Sequence, residues 1–380
     1  MDRTISGNVG EWSEIYVFLK LLSEKIIRGA DENLNPKEGI YFELNEIIRR
    51  ENEGEVHYRI NREEGLVDVV SEGRIQARFK LERFGDEAKH IFEKIRGMKG
   101  RTSASEKTQG FMKELGCTKL KAPSKDKTDI ETNVYDPKKA ANASLKFSIK
   151  SYVRGAPTLL NASNSTNFFF DIDGMNENDA HAINQMFKAS IGIDGEMKEH
   201  TDIVNRMKFL KEKGYKLRYA GMENETFRNN MVATDPHLPE TIGAMLIEFY
   251  MNGINDVKGQ TLVVSKKNPM GYNMSEGHPF YLLKVKKLLS AIAIGMVPHK
   301  VWKGLEEANG GYIVVKETGD IVCYHLYHRP EFEEYLFNNT VLEKPSTTKH
   351  NYATVEKTYD GKYRIRLNLQ IRFKPVKSKK

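Results

Sequence analysis

Two short segments hold residue types that can work on a phosphodiester. Asp129 opens the alternating run Asp129–Tyr135 (DIETNVY), and Ser148-Ile149-Lys150 closes the run Leu145–Ser151 (LKFSIKS). Cleaving a phosphodiester in water usually calls for a divalent cation, which stabilises charge on the phosphate and lowers the pKa of a bound water. Mg2+ prefers oxygen ligands, typically one or two carboxylates with phosphate and waters. Asp129 supplies one carboxylate, and the backbone carbonyl of Ile149 can join the shell. Lys150 can orient or deprotonate the nucleophile and offset developing negative charge. Ser148 occupies the position two residues before the lysine where an acid would complete the set, so a second carboxylate must come from elsewhere. Glu14 offers it, with Glu11 one turn earlier on a neighbouring helix face. Spacing alone is a weak signal, because alternating strands that expose an aspartate and a lysine are common.

The elements that must position these groups are legible. Glu11 to Ile27 is predicted helical, since Trp12, Ile15, Tyr16, Phe18, Leu19 and Leu22 recur at helical spacing. Asp129–Tyr135 and Leu145–Ser151 form a hairpin or neighbouring strands, separated by Asp136-Pro137 and a polar loop. Period-two alternation puts Ile130 and Val134 on one face, and Asp129, Glu131 and Asn133 on the other; Lys146, Ser148 and Lys150 share a face in the same way. Glu55–Ile60 and Gly65–Leu81 are predicted strands that turn at Glu72-Gly73. Helices are expected at Asp86–Ile95, Ser103–Leu115, Asn178–Ile191, Glu199–Lys213, Pro239–Met251 and Pro279–Ile294. A second hairpin joins Gly311–Lys316 to Asp320–Tyr327. Tyr363–Phe373 (YRIRLNLQIRF) alternates over its whole length and is expected to be one strand.

Composition bounds what these elements can be. The 380 residues weigh 43.6 kDa and are 39% apolar, 10% aromatic and 29% charged, enough for a real core and against wholesale disorder. Leu288–Val297 is the longest nearly unbroken apolar run and spans half of what a bilayer crossing needs, so no membrane role is expected. The start MDRTISGNVGEWSE lacks an apolar signal region, which points to the cytoplasm. Cys117 and Cys323 cannot build a disulfide framework or a zinc cage and are expected as reduced thiols. The net charge of +7 is uneven: Lys344–Lys380 alone carries eleven Lys/Arg against Glu356 and Asp360. Lys89–Lys127 is a second basic stretch. Clustered charge of this kind is the footprint of a polyanion. No glycine-rich phosphate loop is present, and His325 is expected to be a packed core residue.

Several long strings then resemble one family. GNVGEWSEIYVFLKLL (7–22), KFSIKSYVRGAPTLLNASNSTNF (146–168), FYLLKVKKLLSAIAIGM (280–296), GGYIVVKETGDIVCYHLYHR (310–329), EKPSTTKHN (343–351) and YRIRLNLQIRF (363–373) look like the HpaII family of Type II restriction endonucleases. The resemblance runs in order from residue 7 to about residue 374. It implies an α/β fold with a PD-(D/E)XK core, a mixed β-sheet flanked by helices, and additional N-terminal β and C-terminal β-strand elements. It also implies Mg2+-dependent cleavage of double-stranded DNA at a short specific site; the family's namesake cuts within CCGG. Asp129 falls where the family's metal-binding aspartate stands, Lys150 where its catalytic lysine stands, and Ser148 in the degenerate acid position. Thr128 departs from the pattern by replacing the usual proline. Glu14 ranks above Glu11 as the helix carboxylate.

The chain is expected as one continuous nuclease domain with subregions. Residues 1–30 carry the active-site helix, 36–100 an accessory β/α insertion and 101–175 the catalytic hairpin. Residues 176–310 are helical, 311–375 form a C-terminal β region for DNA recognition, and 376–380 a basic tail. On Tyr363–Phe373, Arg366, Asn368, Gln370 and Arg372 alternate with Leu367, Leu369, Ile371 and Phe373, and Arg364 precedes them. Arginine reads guanine O6/N7, and Asn or Gln can pair with other base edges, so Arg372 and Arg366 lead as base readers. Asn161, Ser163, Asn164, Ser165, Thr166 and Asn167 suit phosphate contacts or caps and turns. Ser346, Thr347, Thr348, Lys349 and His350 are expected to form a phosphate-contacting loop. Cutting both strands of a palindrome calls for a homodimer or sequential nicking, and such an enzyme implies a cognate DNA methyltransferase as its genetic partner. Two other readings fit the residues: a repair or structure-selective nuclease on the same core, and a non-cleaving DNA-binding protein.

Overall fold

Asn8 starts the first helix. Its side chain accepts from the Glu11 N–H at 3.0 Å, while the Glu11 carboxylate accepts from the Asn8 N–H at 2.8 Å. This capping box satisfies donors that a first turn leaves without intrahelical partners. The helix runs Val9–Glu24 and ends where Lys25 takes the left-handed conformation. Trp12, Ile15, Phe18, Leu19 and Leu22 along it are sealed from solvent.

The structure, a computed structural model, describes residues 5–31, 33–120, 128–191, 196–325, 329–346 and 352–375. The chain divides into two compact units, where the sequence suggested one continuous domain. One comprises Met1–Pro157, Leu305–Tyr335 and Pro375–Lys380; the other comprises Thr158–Gly304 and Leu336–Lys374. Each is drawn from separated stretches, and one boundary falls inside the helix Arg329–Asn339. That is why no Pro/Gly-rich linker marks the division.

The first unit is built on a nine-stranded mixed sheet. Its order is Ile26–Ala30, Ile321–Tyr324, Gly311–Val315, Ala141–Ser151, Ile130–Asp136, Pro36–Glu51, Gly54–Asn61, Leu66–Ser71 and Arg74–Lys80. Ala141–Ser151 pairs antiparallel with Ile130–Asp136 and parallel with Gly311–Val315. Phe147 and Ile149 join Trp12, Ile15 and Phe18 of the first helix, and Ile91 and Ile95 of the helix Leu81–Gly97, in one core. On the opposite face, Phe332 meets Tyr312 edge-on at 5.3 Å and Tyr335 stacks on Tyr324 at 4.1 Å. The centre of the sheet is therefore covered on both sides. His325 is buried, with its ring 4.7 Å from that of Phe42, as a packed core residue. Cys117 and Cys323 are buried free thiols.

The second unit holds a four-stranded sheet, ordered Lys216–Met222, Asn167–Asp173, Tyr363–Asn368 and Val355–Lys357. A three-stranded sheet is ordered Thr158–Leu160, Ile371–Phe373 and Thr340–Leu342. Leu238–Asn252, Val257–Lys267 and Phe280–Ile294 are its larger helices. Among the described residues, no helix is long and apolar enough to cross a membrane.

The helices Glu225–Thr234, Val257–Lys267 and Arg329–Asn339 are absent from the sequence expectations, and the expected helix Glu199–Lys213 begins only at Ile203. Three further elements differ from those expectations for a clear physical reason. The strand Pro36–Glu51 has no counterpart there, because its register shifts between Leu44 and Glu46 and this spoils the alternation. The helix expected over Asn178–Ile191 stops at Asn184. Phe187–Ile191 instead pairs with Met197–Thr201 as a hairpin, in line with the period-two spacing of Phe187, Ala189 and Ile191. The expected single strand Tyr363–Phe373 is broken after Asn368, and its two parts join different sheets. At the break the Leu369 N–H donates to the Thr166 carbonyl at 2.9 Å, and the Gln370 carbonyl accepts from Glu343 N–H at 3.1 Å.

Candidate active site

Asp129 stands just before the strand Ile130–Asp136, where that strand leaves its neighbour exposed. Its N–H donates to the Phe147 carbonyl at 2.8 Å. Its Oδ2 accepts from the Ile149 N–H at 2.6 Å and from the Ser148 hydroxyl at 3.1 Å. The acid position of the sequence pattern is thus filled by a hydroxyl that orients Asp129. Within a strand the N–H and C=O of one residue point to the same edge, so the Ile149 carbonyl faces the edge where Asp129 sits. Register and alternation place Asp129, Ser148 and Lys150 on one sheet face, opposite the packed side chains of Phe147 and Ile149.

Lys150 is half-buried at the end of this face. Burial pulls its ammonium below the usual lysine range, while the carboxylates of Asp129 and Glu14 act to hold it charged. The first helix therefore brings Glu14 within electrostatic reach of Lys150, as the hairpin does Asp129. Burial, with Asp129 adding to it, holds the neighbouring Tyr312 phenol well above its ordinary range. Glu11 is placed differently: it closes the capping box and its Oε2 lies 3.2 Å from Arg101 Nη1. Among the described residues, no group of three or more His, Cys, Asp and Glu is arranged to hold a metal ion. Were Asp129, Glu14 and the Ile149 carbonyl to hold a cation, oxygen donors of this kind would suit Mg2+ rather than zinc.

The expected DNA-reading residues separate into two kinds. Arg364 Nε lies 2.8 Å from Asp171, Arg366 Nη2 lies 2.8 Å from Glu356, and Arg372 Nη1 lies 3.0 Å from Glu343. The Arg364 and Arg366 guanidiniums also lie 5.5 and 5.9 Å from the ring of half-buried Phe169. These arginines are partly solvated, as is the Gln370 side chain. Asn368, Thr166 and Asn167 are instead fully buried. Asn368 Nδ2 donates to the Ser163 carbonyl at 2.8 Å and to Asn167 Oδ1 at 2.7 Å, and Asn167 Nδ2 donates to Glu223 at 2.8 Å. Thr166 Oγ1 accepts from the Ser163 N–H at 3.1 Å in a capping box. These three hold a loop to the strand end and present no polar group to a groove. Asn161 and Asn164 are exposed, Ser163 and Ser165 half-buried, and Ser346 exposed. Thr347, Thr348, Lys349 and His350 lie outside the described residues. The sequence reading gave no role to Tyr312 or to Phe169; only pairing across strands singles them out.

Comparison with known proteins supplies the class, that of restriction endonucleases, which are site-specific deoxyribonucleases. The HpaII restriction endonuclease family matches residues 8–373, and the chain belongs to that family. It is 34% identical over 374 residues to the Type II restriction enzyme HpaII of Haemophilus parainfluenzae, covering 98% of this chain and 100% of that enzyme. No solved structure matches the chain.

Proposed function

We propose that this protein makes Mg2+-dependent double-strand breaks in DNA at a short palindrome, CCGG in the first instance, from a PD-(D/E)XK core. The observation that carries this reading is the placement of Asp129, Ser148 and Lys150 on one sheet face, with the Asp129 carboxylate held by the Ile149 N–H at 2.6 Å and the Ser148 hydroxyl at 3.1 Å. In it, Asp129, Glu14 and the Ile149 carbonyl hold the cation. A bound Mg2+ supplies positive charge beside the scissile phosphate and makes a nearby water more acidic. Ser148 fixes the Asp129 carboxylate through its hydroxyl. Lys150 orients a water for in-line attack and offsets the charge that develops, leaving 5′-phosphate and 3′-hydroxyl ends. Glu11 serves the helix terminus rather than the cation.

Arg366, Arg372 and Arg364 read guanine edges, exchanging their carboxylate partners for DNA, with Gln370 beside them. Asn161, Ser163, Asn164, Ser165 and Ser346 supply phosphate or turn contacts, and Thr347, Thr348, Lys349 and His350 are assigned there from sequence alone. Thr166, Asn167 and Asn368 support that surface from inside. The enzyme works in the cytoplasm, as a homodimer or by sequential nicking, and a cognate methyltransferase protects the host.

Digestion of unmethylated plasmid with Mg2+ or with EDTA, followed by sequencing of the ends, tests this. Discrete fragments ending at one palindrome, formed only with the metal, are expected. A smear of unrelated ends would favour a structure-selective nuclease. Bound but uncut plasmid would overturn the proposal in favour of an inert DNA-binding protein.

A further inference from the structure

A lysine side chain has four torsions, and a charge on its end is only useful to a reacting phosphate if those torsions are fixed. Carboxylates attract the Lys150 ammonium from any direction and so set its distance better than its orientation. The neighbouring strand offers a flat surface that does set orientation. Gly311–Val315 runs parallel to Ala141–Ser151, with Tyr312 opposite Ser148 and Val314 opposite Lys150. Tyr312 is thus the diagonal neighbour of Lys150 on the same sheet face, and Lys150 Nζ lies 5.2 Å from the centre of its ring.

The ring is itself immobilised. Tyr312 is 1% exposed, and Phe332 abuts it at 81°. In the same aromatic cluster the Tyr152 and Tyr335 hydroxyls lie 3.0 Å apart, and Tyr335 stacks on Tyr324, the pairing partner of Tyr312. A buried, clamped aromatic face within about 6 Å of an ammonium attracts it along the ring normal, where the π-system is negative. Desolvation makes that attraction stronger than at an exposed site.

We propose that Tyr312 is a positioning residue for the cleavage reaction: the face of its ring, and not its hydroxyl, holds the Lys150 ammonium in the orientation that serves the phosphate. The inference rests on Lys150 being catalytic, as proposed above. It assigns Tyr312 no contact with DNA and no proton transfer.

The test is a series at one position. Tyr312→Phe keeps the face and removes the hydroxyl. Genetic incorporation of 4-fluoro-, 3,5-difluoro- and 3,4,5-trifluorophenylalanine at 312 then weakens the face stepwise at nearly constant size. Single-turnover cleavage rate and duplex Kd are measured for each, with Lys150→Ala alongside. Tyr312→Phe is expected to cut within about threefold of the unsubstituted protein. The trifluoro variant is expected to cut about tenfold more slowly than Tyr312→Phe, with duplex Kd unchanged. A packing role would leave the fluorinated series flat. A flat series beside an inactive Lys150→Ala overturns this inference and spares the catalytic assignment, as does a loss already complete at Tyr312→Phe. Cleavage by Lys150→Ala at the unsubstituted rate overturns both.

Discussion

The catalytic edge of the nine-stranded sheet and the strand Tyr363–Asn368 with its continuation use the same charged groups in opposite ways. Arg364 pairs with the buried Asp171, whereas Arg366 and Arg372 each meet a carboxylate within 3.0 Å in partly solvated surroundings. Pairs of that kind contribute little to stability, about 0–1 kcal/mol, so DNA can replace the acid at small cost. Lys150 lies under the influence of two carboxylates, over an aromatic ring, in a setting where burial works against its charge. Charges gathered in a poorly solvated place are strongly coupled, and removing one alters what the others can do. In the function proposed above, the arginine-bearing region exchanges partners and the catalytic edge holds a fixed arrangement.

The sharpest break in that contrast comes from the fixed region. Asp129→Ala and Lys150→Ala are each expected to lower single-turnover cleavage by about a thousandfold or more, since several kcal/mol of transition-state stabilisation are lost. Duplex affinity by fluorescence anisotropy should stay close to that of the unsubstituted protein. Rates near the original would remove these residues from the site. Glu14→Gln should follow with a loss of about a hundredfold or more, whereas Glu11→Gln should cut nearly normally and lose less than about 1 kcal/mol of stability, since glutamine still accepts from the Asn8 N–H and only the pairing with Arg101 is weakened. If the two variants exchange these outcomes in the same cleavage and melting assays, the carboxylates have been assigned the wrong way round.

Smaller, graded effects belong to the exchangeable region. Arg366→Ala and Arg372→Ala should each cost about 1–3 kcal/mol of discrimination between the target and a single-base variant, measured as a ratio of cleavage rates. An equal loss on both duplexes would make them phosphate contacts. Asn368→Ala should show the least effect on sequence choice and instead lower unfolding stability by about 1–3 kcal/mol, because it leaves buried partners of a hydrogen-bond network unsatisfied. Chemical denaturation gives that number directly; unchanged stability with altered site preference would put Asn368 back on the DNA surface.

What the sequence made legible follows the same division. The catalytic hairpin was readable because both strands alternate cleanly, so Asp129, Ser148 and Lys150 fall on one face by counting. The first helix was readable from its apolar spacing, though its capping by Asn8 and Glu11 separates the two glutamates in a way that helical periodicity alone does not. Tyr363–Phe373 misled because alternation continues across the break at Leu369 and Gln370; pairing partners distant in sequence send its halves into different sheets. The same long-range contacts turn Asn368, Thr166 and Asn167 inward. Tyr312 was illegible because its importance lies in a parallel pairing across more than 150 residues of chain, recorded in its register with Ser148.

The convergence of Glu14 and Asp129 on one cation is the central claim, and calorimetric titration of Ca2+ into the complex with duplex DNA measures it most directly. The account predicts a binding isotherm for the unsubstituted protein and for Lys150→Ala, and its loss in both Asp129→Ala and Glu14→Gln. An isotherm that survives unchanged in either carboxylate variant would contradict it.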